Sequence, residues 1–245
     1  MVEFLPEILD KSSVKNFLKK HNEFLYEHLE NTRIFKDRLI SENKVLLLSG
    51  VSGSGKDSVI DMLPPNFQRI KTCTTREARP AEKANDPYIR LTEEEFEMQV
   101  ADGLFIENER YTGCRYGTRV QELREIIAKK SIPVWRIDSK GASHVTGMWK
   151  DNDPILKDIT PLFFYLLPDK QEHLKSRIML RDVEIHTDPK LKDEALKKAL
   201  VRIDKFNEDI FYIKDAHYVL VNHEGRLEET VEKLLEKLKE LIGNF

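Results

Sequence analysis

The sequence predicts an α/β protein with a three-layer core, a parallel sheet between helices. Three observations lead there. An apolar run at residues 45–48 meets a glycine-rich turn at 50–58 and then a helix-like stretch at 59–63. Residues 132–138 read as a strand and the apolar run 161–167 as a buried one, with helical patterns at 121–127 and from 168 onward. A last strand at 218–222 precedes an amphipathic helix at 227–241, whose Val231, Leu234, Leu235, Leu238 and Leu241 share one stripe.

Composition bounds the function. The chain has 245 residues, 40% of them hydrophobic, enough for a sizeable core. A net charge of −3 gives no bulk electrostatic case for nucleic acid or for a membrane surface. No apolar stretch approaches transmembrane length, and the N-terminus lacks a basic region followed by an apolar one. Cys73 and Cys114 read as two free thiols of a reducing compartment. The expectation is a soluble cytoplasmic protein; monomer and homodimer both stay open.

Residues 1–42 read as an N-terminal helical extension. Ser12 or Ser13 can cap a helix starting near Val14, and Val14, Phe17, Leu18, Phe24, Leu25 and Leu29 then recur at helical spacing. A second helical piece spans 33–40. His21 and His28 fall on the stripe and read as half-buried surface histidines rather than metal ligands.

The glycine-rich turn carries the clearest chemistry. Gly50, Gly53 and Gly55 allow a tight backbone that approaches phosphate oxygens closely, and Ser52 and Ser54 lie between them. Strand, turn and helix together suit a phosphate cradle, with Lys56 placed to reach the outer phosphates of a nucleotide. The usual pattern follows the lysine with Ser or Thr, whose hydroxyl meets Mg²⁺. Here Asp57 comes next and the hydroxyl follows at Ser58, so these two are the candidate metal ligands.

Pro64 and Pro65 stop the loop helix. Residues 67–73 read as one short strand, followed by a polar segment in which Arg76 and Arg79 lie close enough to grip one phosphate. Thr92 and Glu95 form a capping-box pattern for the next helix. Residues 121–127 read as an amphipathic helix, and the 132–138 strand ends at Asp138, where ligands gather in open α/β sheets. Arg177 and Arg181 follow the 161–167 strand, and His217 takes no functional role.

These segments together resemble the guanylate kinases. Thr74, Thr75, Arg76, Arg79 and Glu82 keep the family's signature spacing, and Tyr88 falls at its tyrosine. Leu104 to Glu107 resembles its Phe-x-Glu strand, Tyr116-Gly117-Thr118 its Tyr-Gly-Thr element, and Ile137-Asp138 the end of its Asp-Ile-Asp strand. The resemblance covers residues 43–245. It implies a P-loop NTPase core, an inserted GMP-binding subdomain at 72–118, a helical lid at 178–203, and ATP-dependent phosphorylation of GMP with Mg²⁺.

The resemblance also implies roles. Arg76, Arg79, Tyr88 and Tyr116 would hold the GMP phosphate, and Glu107, Thr72, Thr118 and Asp138 would read the guanine. A carboxylate suits guanine because N1–H and the 2-amino group are adjacent donors, a pairing that rejects other bases strongly. Lys56, Arg177, Arg181 and Arg202 would be catalytic, and Asn222 would lie near the ATP base. Three departures stand out: Asp57 after the lysine, Arg136 at the first Asp of Asp-Ile-Asp, and Ala81 with residues 83–86 in place of turn glycines. Two rivals were weighed. Ribose 1,5-bisphosphate phosphokinases generally lack counterparts of Arg79 and Tyr88, and non-catalytic guanylate-kinase-like interaction modules have lost nucleotide-site residues kept here.

Overall fold

The structure is a computed structural model that describes residues 25–27, 43–78, 87–111 and 113–243. Strand β2, Asn43–Gly50, is central in a six-stranded sheet. Its Val45, Leu46, Leu47 and Leu48 are almost wholly buried. This is why the run is continuously apolar rather than alternating: both faces of a parallel sheet are covered. The order across the sheet is β1 (Leu25–Glu27), β10 (Tyr218–Asn222), β9 (Ile159–Pro168), β2, β8 (Ile132–Arg136) and β3 (Phe67–Arg69). All neighbours run parallel except β1, which is antiparallel to β10.

Helices cover this sheet in two groups. Helix α1, Lys56–Asp61, packs with α8, Leu227–Ile242; helix α4, Ser139–Lys150, packs with α7, Phe206–Phe211. The remaining helices are α2 (Glu93–Ala101), α3 (Val120–Ala128), α5 (Gln171–Asp182) and α6 (Pro189–Asp204). The expected capping box opens α2: Glu95 N donates to Thr92 Oγ1 at 3.1 Å and Thr92 N to Glu95 Oε2 at 2.8 Å. His217 is a core residue, its Nδ1 accepting from Phe163 N at 3.0 Å.

A second sheet of four strands stands apart, in the order β5 (Tyr88–Arg90), β4 (Thr72–Thr74), β7 (Cys114–Arg119) and β6 (Phe105–Tyr111). Its own small core holds Cys73, Phe96 and Phe105, with the two rings stacked at 4.6 Å. The single strand expected at 67–73 is therefore two. Ile70 N still donates to Val134 O in the first sheet, and the chain then crosses to β4 in the second.

The N-terminal expectation is corrected at one point. Leu25–Glu27 is a strand on the edge of the main sheet, not part of a helix, because it pairs with β10 in register Leu25↔Leu220. The rest of the expected helical extension, with His21 and His28, lies outside the described residues. So do Arg79, Glu82 and the 83–86 segment.

Candidate active site

The glycine turn follows β2 with a backbone that side chains would obstruct. Gly50 has φ +139°, and a Cβ there would stand 2.1 Å from Leu166 O. At Gly55, φ +97°, a Cβ would stand 2.5 Å from Asn222 Nδ2. Lys56 folds back over the turn and donates to Gly50 O at 2.6 Å and to Val51 O at 2.9 Å. Burial and the nearby Arg136 lower its pKa to about 7, against Asp209 and Asp57, which raise it. Ser54 Oγ is buried without a hydrogen-bond partner among the described residues.

One cleft, with about 820 Å³ of open space, joins this turn to the second sheet. Gly50, Ser52 and Lys56 line one side; Thr72, Arg76, Tyr88, Glu107 and Tyr116 come from the second sheet and its turn. Asp138 and Ser139 enter from the start of α4, and Arg181 and Arg202 from α5 and α6. Tyr88 and Tyr116 meet edge to face at 6.3 Å, and Arg76 lies 5.3 Å from the Tyr88 ring.

Glu107 is 5% exposed, and burial, with the negative Asp138 beside it, raises its pKa to about 8. Asp138 is also pushed upward, chiefly by burial, while its Oδ1 accepts from Gly141 N at 2.9 Å and so caps α4. Two of these arginines share one acid. Asp182 accepts from Arg181 Nε and Nη2, both at 2.9 Å, and from Arg202 Nη1.

Several expected residues sit elsewhere. Thr118 is fully buried behind Glu107, accepts from Trp135 Nε1 at 2.8 Å and does not line the cleft. Asn222 is 4% exposed; its Nδ2 donates to Ser54 O at 2.8 Å and its Oδ1 accepts from Thr230 Oγ1 at 3.2 Å. Both polar ends of its side chain are thereby engaged, which ties the turn to the end of β10. Arg177 reaches to within 4.0 Å of the Cβ position at Gly55, pairs with Glu224 and stays off the cleft wall.

The two metal candidates also move. Ser58 is exposed on α1. Asp57 Oδ1 is engaged by Arg69 Nη1 and Arg136 Nε, each at 2.9 Å. These guanidinium groups and Lys56, opposing burial, hold its carboxyl well below the usual range. Asp57 is thus committed to two arginines, and Ser58 does not line the cleft. Among the described residues no group of three acids, histidines or cysteines could hold a metal.

Other lining residues escaped the sequence. Tyr111 donates to Asp209 Oδ2 at 3.3 Å, and Asp209, buried beside Lys56, is raised to about 6. Nothing in Asn207-Glu208-Asp209 marks the last acid as different from its solvated neighbours. Arg136 was visible as a departure. The register Leu48↔Arg136 brings it up beside the turn.

Comparisons with known proteins agree with this geometry. The sequence model described as Guanylate kinase matches residues 42–242. The guanylate kinase of Malacoplasma penetrans is 30% identical over 176 residues, 70% of this chain and 85% of that protein. That of Clostridium tetani is 29% identical over 192 residues, 78% of this chain and 82% of the relative. A crystal structure of guanylate kinase from Anaplasma phagocytophilum shares the fold, with TM-score 0.56 and 23% identity over 84% of this chain and 90% of the other. With the family model spanning the second sheet and all of the main sheet but β1, the chain belongs to the guanylate kinase family.

Proposed function

We propose that the chain transfers the terminal phosphoryl group of ATP to the phosphate of GMP, giving ADP and GDP. One observation carries the reading: a glycine turn with its lysine, an arginine–tyrosine corner and a buried glutamate face one cleft. ATP's phosphates lie along the turn, where the glycine backbone and Lys56 meet them. Arg76, Tyr88 and Tyr116 hold the GMP phosphate through charge and hydroxyl donors, with Arg79 as a further arginine of the same signature.

Glu107 accepts from the guanine edge, with Thr72 and Asp138 beside it and Thr118 supporting it from behind. Arg181 and Arg202 offset charge on the group in transfer. Catalysis of this kind is positioning and electrostatics, so no covalent intermediate is needed. Family membership brings Mg²⁺ with ATP, but Asp57, held by two arginines, does not suit it as a ligand. We assign the reaction to the cytoplasm, in keeping with the two free cysteines. Among the described residues no helix is long and apolar enough to cross a membrane.

The test is ADP release with Mg-ATP against GMP, AMP, CMP, UMP and ribose 1,5-bisphosphate. GMP-selective turnover is expected, with Glu107→Gln lowering kcat/KM for GMP roughly 10- to 100-fold, the worth of a charged hydrogen-bond partner. Turnover with the sugar bisphosphate alone, or with no acceptor, would sink the proposal.

A further inference from the structure

Two residues that depart from the family pattern meet in space. Asp57 Oδ1 lies 2.9 Å from Arg136 Nε. Arg136 Nη1 donates to Tyr88 Oη at 3.0 Å. One guanidinium thus touches both the helix that follows the glycine turn and the tyrosine of the acceptor corner. It lines the same cleft as Lys56 and Arg76.

A role as counter-ion to Asp57 does not account for it. Arg69 Nη1 already stands 2.9 Å from the same carboxylate oxygen, so one negative charge faces two positive ones. Nor does the Tyr88 bond satisfy the group. A guanidinium has five N–H donors. Among the described residues, Tyr88 Oη accepts from Nη1 and the Asp57 carboxylate stands against Nε, which leaves the other N–H groups of the fork. A cation with unused donors on a cleft wall calls for an anionic acceptor, and the arginine fork matches a phosphate by paired bonds.

We propose that Arg136 binds the phosphate of the acceptor nucleotide, held between Asp57 and Tyr88 so that its unused N–H groups face the phosphoryl group passing from donor to acceptor. The inference rests on the guanylate kinase reading and deepens it. Asp57 acts as a positioning residue, fixing the guanidinium from behind. The departures at 57 and 136 form one device: an acid in the loop helix and a base at the strand end.

The test is equilibrium binding of GMP and of guanosine to the full chain, by titration calorimetry without ATP or metal. Arg136→Gln is expected to weaken GMP roughly 10- to 100-fold, the range for a charge-assisted phosphate contact, and guanosine less than about threefold. Arg136→Lys keeps a charge beside Asp57 without the fork. It decides the matter if the glutamine variant does not fold, with a selective loss for GMP of at least about threefold. An unchanged ratio of GMP to guanosine affinity, in variants of a chain that binds GMP, would overturn the proposal alone. A wild-type chain that binds neither ligand would overturn the guanylate kinase reading and the proposal with it.

Discussion

Glu107 carries a conflict between its burial and the task proposed for it. Burial and Asp138 raise its pKa to about 8, so the free site holds a proton at neutral pH. Guanine presents two donors, so the bound residue must be a carboxylate, and binding has to expel that proton. Guanosine affinity should therefore rise with pH from 6 to about 8, by at most about tenfold per unit, and then level off. Guanosine is the right probe because it has no phosphate that titrates in this range. Calorimetry at pH 7 in two buffers of different ionisation enthalpy should record proton release, and Glu107→Gln should abolish both effects. A flat profile from pH 6 to 8 would refute the assignment. Lys56 has the opposite sign. Burial and Arg136 lower it to about 7 in the free chain, and ATP phosphates favour its charged form. ATP binding at pH 8 should take up close to one proton, and Lys56→Met should remove the uptake. For folding, Glu107's contribution is full below its ordinary 4.5 and lost as pH rises through about 8. That of Lys56 is full above 10.5 and lost as pH falls through about 7.

Among the elements, α5 and α6 depend on one carboxylate. Asp182, 8% exposed, joins Arg181 to Arg202 across the turn between the helices. Asp182→Ala leaves two guanidinium groups without that acid and free to leave the cleft wall. Its kcat should fall roughly 10- to 100-fold while KM for GMP changes little, and Asp182→Asn should recover part of the loss. A KM effect with normal kcat would remove Asp182 from this role. Elements were legible where the signal was local: the glycine turn, the capping box at Thr92 and the buried strands all lie where the residue pattern put them. The break between β3 and β4 was not, because both sides are apolar and only the partner strands tell them apart. Asn222 shows the same limit. The resemblance put it near the ATP base, but its bonds to Ser54, far away in sequence, and to Thr230 were not readable. The pairing of Asp57 with Arg136 likewise needs the parallel register of β2 and β8.

At the scale of the whole molecule, the cleft gathers cations, three of them held by acids off its wall: Arg136 by Asp57, and Arg181 and Arg202 by Asp182. Lys56, Arg76, Arg136, Arg181 and Arg202 line it, against Glu107, Asp138 and Asp209. Burial is the largest cause of the depressed pKa of Lys56, and Arg136 and Arg181 add to it. Anionic nucleotides relieve the repulsion, so ligand binding and global stability are linked. GMP at 100 times its Kd should stabilise the fold by about 2.7 kcal/mol. For a domain of about 200 residues that is a rise in Tm of roughly 5–10 °C. Salt should act with two opposite signs. It screens the cation cluster, so the Tm of the free chain should climb modestly between low and moderate ionic strength. The increment given by a fixed GMP concentration should shrink over the same range, because the phosphate contacts are screened too. AMP at the same concentration lacks the guanine edge and should give a much smaller increment. Scanning calorimetry with GMP, AMP and guanosine at two salt concentrations reads all of these at once. Equal increments for AMP and GMP would separate the charged corner from base recognition and leave Glu107 without its role, while an increment indifferent to salt would do the same to the cation cluster.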